Sequence, residues 1–137
     1  MSIIGNAVTV GGGSGGDPVL LWTNPTPYKS SGFSRQTLYL GADYPAYLIE
    51  CKRSYSTSAM GEGKSITYLP AGTVKGVVQA AGGEQQNYAE TTARYVTISA
   101  TGDFTFSTGF RGDGTTTGYD LDIWCIPTRI WGIQQVV

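Results

Sequence analysis

The sequence contains no histidine, and only 14% of its 137 residues are Asp, Glu, Lys or Arg. Without an imidazole, a Ser–His or Cys–His nucleophilic pair cannot be built from this chain alone, and a mononuclear metal site would need carboxylates instead. Cysteine is scarce as well. Cys51 and Cys125 are too far apart for a short zinc-ligand motif, and each sits in a strand-like run, which favours two buried free thiols over a disulfide. No run approaches the ~20 apolar residues of a membrane helix, so no membrane insertion is expected. The opening MSIIGNAVTV lacks a positively charged start, and its apolar stretch is short and interrupted, which does not fit a secretory leader. The charges nearly cancel, at net −1 with no basic block, so the footprint of a nucleic-acid binder is missing. No window sustains a 3.6-residue period for three turns, and helices are not expected.

What the chain has instead is glycine (20 residues), abundant Ser and Thr, nine Tyr and three Trp. Its length fits one domain, able to bury a core without metals or disulfides. Residues 19–23 (VLLWT), 36–40, 46–53, 65–69, 72–80, 91–99 and 104–107 read as short strands between Gly, Pro, Asn and Ser turns. The stretch 91–99 alternates most clearly, with Val96 and Ile98 opposed to Tyr95, Thr97 and Ser99. With a tight turn at 100–103 it predicts a hairpin onto 104–107. Residues 119–133 (YDLDIWCIPTRIWGI) alternate at first, with Tyr119, Leu121, Ile123 and Cys125 on one face and Asp120, Asp122 and Trp124 on the other. The run breaks at Pro127 and resumes, predicting a C-terminal strand pair that closes a sheet, with Pro127 at a bulge or edge break. The expected fold is all-β: a single-domain antiparallel β-sandwich, jelly-roll-like, of about eight short strands over residues 17–137. Residues 1–16 read as an attachment segment, its apolar positions Ile3, Ile4, Val8 and Val10 preceding a flexible GGGSGG linker.

Catalytic chemistry finds few candidates. Asp120 and Asp122 could form a glycosidase-type carboxylate pair, but their spacing describes the solvent face of a strand. Asp103, Asp113 and Asp120 could gather around calcium, yet no DxDxDG loop accompanies them. Arg111-Gly112-Asp113 is the tripeptide that integrins recognise, and it reads here as a loop tip, because turn geometry already accounts for its glycines. Neither an enzyme nor a cofactor is expected. A binding surface remains, formed by loops 54–64, 81–88 and 109–118, with Tyr55, Tyr88, Phe110, Arg111 and Asp113 as candidate contact residues. Aromatic rings there would stack on a ligand while short polar side chains supply hydrogen bonds. Trp22 and Trp131 are assigned to the core or to a subunit interface.

The stretches VLLWTNPTP (19–27), YPAYLIECKRS (44–54), RYVTIS (94–99) and above all CIPTRIWGI (125–133) resemble a group of small proteins in tailed phages and prophages of Gram-positive, often gut, bacteria. Members are described as minor structural or tail-fibre-like proteins. They are similar in opening with a Leu-Leu-Trp-Thr-Asn-type strand and closing on Ile-Pro-x-x-Ile-(Tyr/Trp)-Gly-Ile, and no active-site motif comes with the pattern. The resemblance implies a virion structural protein assembled in the host cytoplasm: a homotrimeric tail-fibre or receptor-binding-type module. It would join other virion proteins through its N-terminal segment and meet a host-surface glycan or protein. Two other readings stay open: a capsid decoration or head-fibre protein docked by its N-terminal peptide, or a carbohydrate-binding module.

Overall fold

The computed structural model describes residues 16–28, 31–54, 60–85, 88–112 and 121–134. The attachment segment with Ile3, Ile4, Val8 and Val10 lies outside them, as do Tyr55, Asp113 and Asp120. Among the described residues there are nine strands: β1 (Val19–Thr23), β2 (Gln36–Leu38), β3 (Ala46–Ser54), β4 (Met60–Pro70), β5 (Gly76–Gln85), β6 (Tyr88–Ile98), β7 (Phe104–Phe106), β8 (Phe110–Arg111) and β9 (Ile126–Ile133). One sheet runs β1-β9-β3-β4 and the other β2-β7-β6-β5, with β8 pairing β6; every pairing is antiparallel. The all-β sandwich is therefore the observed architecture. The nested pairings β1 with β9 and β2 with β7 follow the jelly-roll manner of wrapping, while β3 pairs with β4 and β5 with β6, each pair with one register irregularity.

Alternation decides which side chains enter the core. From the first sheet come Tyr47, Ile49 and Cys51 of β3 with Ile126 and Ile130 of β9. From the second come Val78, Ala80, Val96, Ile98, Phe104 and Phe106. Each large aliphatic or aromatic side chain moved from water here contributes about 1.5–3 kcal/mol. Rings bridge the sheets in two chains. Trp22 meets Phe33 at 6.1 Å and Phe33 meets Phe106 at 5.5 Å; Tyr44 meets Tyr47 at 6.4 Å and Tyr47 meets Phe104 at 4.8 Å, all edge to face. The Tyr47 hydroxyl keeps its place by donating to the Ala42 carbonyl and accepting from the Tyr44 N–H. Cys51 and Cys125 are free and buried, as their apolar surroundings imply.

One charged side chain shares this interior. Arg94 on β6 is fully buried, on the same face as Val96 and Ile98. Its Nε donates to the carbonyls of Trp124 (3.0 Å) and Cys125 (2.8 Å), Nη1 to Ser107 (3.0 Å) and Nη2 to Asp122 (3.0 Å). The guanidinium also lies 5.2 Å from the Phe33 ring centroid.

Several sequence expectations change. In the described part of 119–125 the alternation does not give a strand: Leu121–Ile123 is a 3-10 turn and Cys125 takes φ 51. The carbonyls at 122, 124 and 125 turn inward to accept from Arg94 instead of pointing along a ladder. The C-terminal strand is single and lies between β1 and β3 rather than closing an edge. Pro127 does sit at a bulge, since Glu50 faces Arg129 and Cys51 faces Pro127, leaving Thr128 as the extra residue. Asn24 serves this irregularity, its N–H bonding the Thr128 carbonyl (2.8 Å) and its Nδ2 the Pro127 carbonyl (2.9 Å). Much of the expected loops 54–64 and 81–88 is strand: β4 starts at Met60, and β5 continues to Gln85 before β6 begins at Tyr88. Residues 109–118 are likewise not irregular throughout, because Phe110–Arg111 pairs with Thr92 and Ala93.

The β6–β7 hairpin forms as its alternation predicts, and its turn needs glycine. Gly102 has φ +85, and a Cβ there would stand 2.0 Å from the Ala42 carbonyl oxygen; Gly72, at φ +77, faces open space. Gly102→Ala should lower stability by at least about 2 kcal/mol, seen as a lower urea midpoint at unchanged m. Gly72→Ala should cost only the backbone strain, about 1 kcal/mol. Equal losses in the two variants would contradict the steric argument.

Candidate functional site

The outer face of the first sheet departs from the usual polar exterior of a half-buried sheet. Register places Leu20 opposite Trp131, Trp131 opposite Leu48, and Leu48 opposite Tyr68, an apolar row crossing all four strands. Leu20 is 52% exposed, while Trp131, Leu48 and Tyr68 are half-buried. The next row is Thr23, Arg129, Glu50 and Ile66, with Ile66 56% exposed. In β4 the pattern is inverted: Ile66 and Tyr68 point out, and the small polar Ser65 and Thr67 occupy the inward positions.

The polar centre of this face is one buried carboxylate. Arg129 forks onto Glu50, Nε to Oε1 at 3.1 Å and Nη2 to Oε2 at 2.9 Å. The Thr128 hydroxyl, freed by the bulge, lies 2.5 Å from Oε1, and Lys64 Nζ is 3.7 Å away. The other side of Arg129 covers Trp131, with Cζ 5.0 Å from the ring centroid. Burial pushes the Glu50 carboxyl up, but the Arg129 and Thr128 hydrogen bonds and the charges of Arg129 and Lys64 outweigh it, leaving the pKa below its ordinary value. The carboxylate is thereby committed to holding Arg129 over Trp131.

Of the contact residues expected from sequence, Phe110 and Arg111 fall on the other sheet. Phe110 is half-buried with its ring 4.9 Å from Tyr95, and Lys75 Nζ stands 4.6 Å from the Tyr95 centroid on the exposed side. Tyr88 opens β6, with its side chain outside the described residues, and Tyr55 and Asp113 lie outside them altogether. The structure thus brings together Phe110, Tyr95 and Lys75 but shows no common site for the five. Among the described residues there is no cluster of three metal-ligating side chains, and no helix is long and apolar enough to cross a membrane.

Sequence reasoning missed Leu20, Leu48, Ile66 and Tyr68 because outward positions were expected to be polar. The signal was the alternation in SITYL, which has apolar residues on one parity and hydroxyls on the other. No family model, curated protein or solved structure matches the chain.

Because the folded Glu50 pKa is depressed, its stabilising contribution is present above the unfolded value of about 4.3 and is lost as pH falls through the folded value. Urea midpoints measured from pH 7 to pH 3 should fall for the wild type. Glu50→Gln should be weaker at pH 7 and show a shallower acid decline. Parallel curves for the two proteins would contradict the assignment.

Proposed function

We propose that the protein is a non-catalytic virion structural module of the tail-fibre type, working as a homo-oligomer, a trimer, that presents its loops to a host surface. The observation that carries this reading is the apolar row Leu20–Trp131–Leu48–Tyr68 on the outer face of the first sheet. Two of its four members, Leu20 and Trp131, come from the stretches that most specifically resemble tail-fibre-like proteins, 19–27 and 125–133. Those stretches lie side by side as β1 and β9, and Asn24 locks one to the bulge of the other.

An exposed apolar row of this extent is a standing liability in a monomer and an asset in an assembly. The occupant that fits best is a second copy of the chain. At the centre of the face Arg129 is paired with Glu50, so the apolar row meets a second copy without an unpaired charge beside it. Association would also cover β1, an edge strand whose Val19 and Leu20 are both exposed. The low charge of the chain suits a protein that spends its working life inside a particle.

Light scattering at micromolar concentration should give a mass above the monomer. Leu20→Glu combined with Ile66→Glu should give a monomer with unchanged circular dichroism, because both side chains are already half or more exposed. A monomeric wild type, or a double variant that still assembles, would overturn the proposal.

A further inference from the structure

A cleft of about 360 Å³ opens at the edge of the sandwich where the chain leaves β1 and enters β2. Trp22 forms its aromatic wall, backed edge to face by the buried Phe33, and Thr26, Ser31, Ser34 and Gln36 stand around it. The rim is built rather than accidental. Asn24 turns the chain by accepting from the Thr26 N–H at 2.8 Å, and the Ser31 hydroxyl donates back to the Thr26 carbonyl at 2.6 Å. Phe33 is fixed from behind by its N–H bond to the Asp122 carbonyl at 2.8 Å and by the Arg94 guanidinium.

Within this frame some hydrogen-bonding capacity is uncommitted. Gln36 uses its amide nitrogen on Ser34, at 2.9 Å to the carbonyl, and its Oε1 has no partner among the described residues. The same holds for the Trp22 indole N–H and the Thr26 hydroxyl. The half-buried indole N–H beside the open cleft is thus available to a ligand oxygen. The described lining carries no charged side chain, which disfavours phosphate, nucleotide or carboxylate ligands. The volume is at the small end of ligand pockets, about 300–1,000 Å³, and leaves little room for a peptide.

We propose that this cleft binds one residue of a neutral glycan, a pyranose whose C–H face lies against Trp22 while its hydroxyls bond the indole N–H, Thr26 and Gln36. A pyranose has an apolar face and hydroxyls that both donate and accept, which matches an aromatic wall ringed by mixed donors and acceptors. The site gives the host-contacting role a ligand class and rests on that reading only for its setting. Sugar binding by the isolated protein is measured independently of assembly.

The test is an amide and indole NMR titration of the full chain with neutral hexoses, N-acetylhexosamines and 6-deoxyhexoses, with sialic acid and inorganic phosphate as charged probes. At least one neutral sugar should shift the Trp22 indole resonance and the amides of Thr26, Ser34 and Gln36. Gln36→Leu should weaken that sugar about three- to tenfold, the loss of one neutral hydrogen bond. Trp22→Phe, which keeps the aromatic wall, should weaken it similarly, and the assembly-breaking Leu20→Glu/Ile66→Glu protein should bind it unchanged. The proposal is overturned if no neutral sugar moves these resonances, if the shifts centre on Tyr95 and Phe110, or if a charged probe binds more tightly.

Discussion

A fully buried guanidinium holds the two sheets in register. Arg94 donates to four main-chain carbonyls, three of them in the segment that turns into the last strand. Burial draws its pKa down, and the nearby Asp122 charge acts in the opposite sense. A charge in an apolar core costs several kcal/mol unless every donor is met. Here four main-chain carbonyls accept from Nε, Nη1 and Nη2, which offsets much of that cost. The exchange is mutual, because the side chain supplies donors to the carbonyls of Asp122, Trp124 and Cys125 in a segment that has left the sheet. Cys125, at φ 51, sits in a conformation that costs a non-glycine residue about 1–3 kcal/mol, and its carbonyl makes the shortest bond of the four.

That clamp has consequences at the surface. By fixing where β9 begins, it sets the bulge at Thr128, which aims the hydroxyl at Glu50 and lets Arg129 lie across Trp131. Through the Asp122 carbonyl, which also accepts from Phe33, it fixes the wall of the cleft. The outer apolar face and the cleft both depend on one interior group, although neither touches it through solvent. The stretches 19–27 and 125–133 belong together for the same reason: they are the two sides of one ladder, with Asn24 closing the irregularity that Pro127 introduces.

The sheet class and the β6–β7 hairpin were legible because period-two alternation in residues 91–99 is a direct image of one buried face. The same parity that buries Val96 and Ile98 also buries Arg94, yet an arginine in such a run reads as solvent-facing until its partners are known. Those partners are carbonyls, which have no sequence signature, so the 3-10 turn at Leu121–Ile123 was read as strand. The candidate face was hidden by an expectation about sign. Ile66 and Tyr68 alternate with Ser65 and Thr67 as a strand should, but sequence alone does not say which parity faces out. The cleft is built from a turn centred on Asn24 and Pro25, whose geometry depends on a bulge about a hundred residues away.

Native-state amide hydrogen exchange on Arg94→Lys tests the central claim, since lysine keeps the charge but cannot span the four carbonyls. The account predicts selective loss of protection in β9 and at Phe33, with the β5–β6 hairpin still protected to nearly the wild-type level. Unchanged protection in β9, or an equal loss across both sheets, would contradict it.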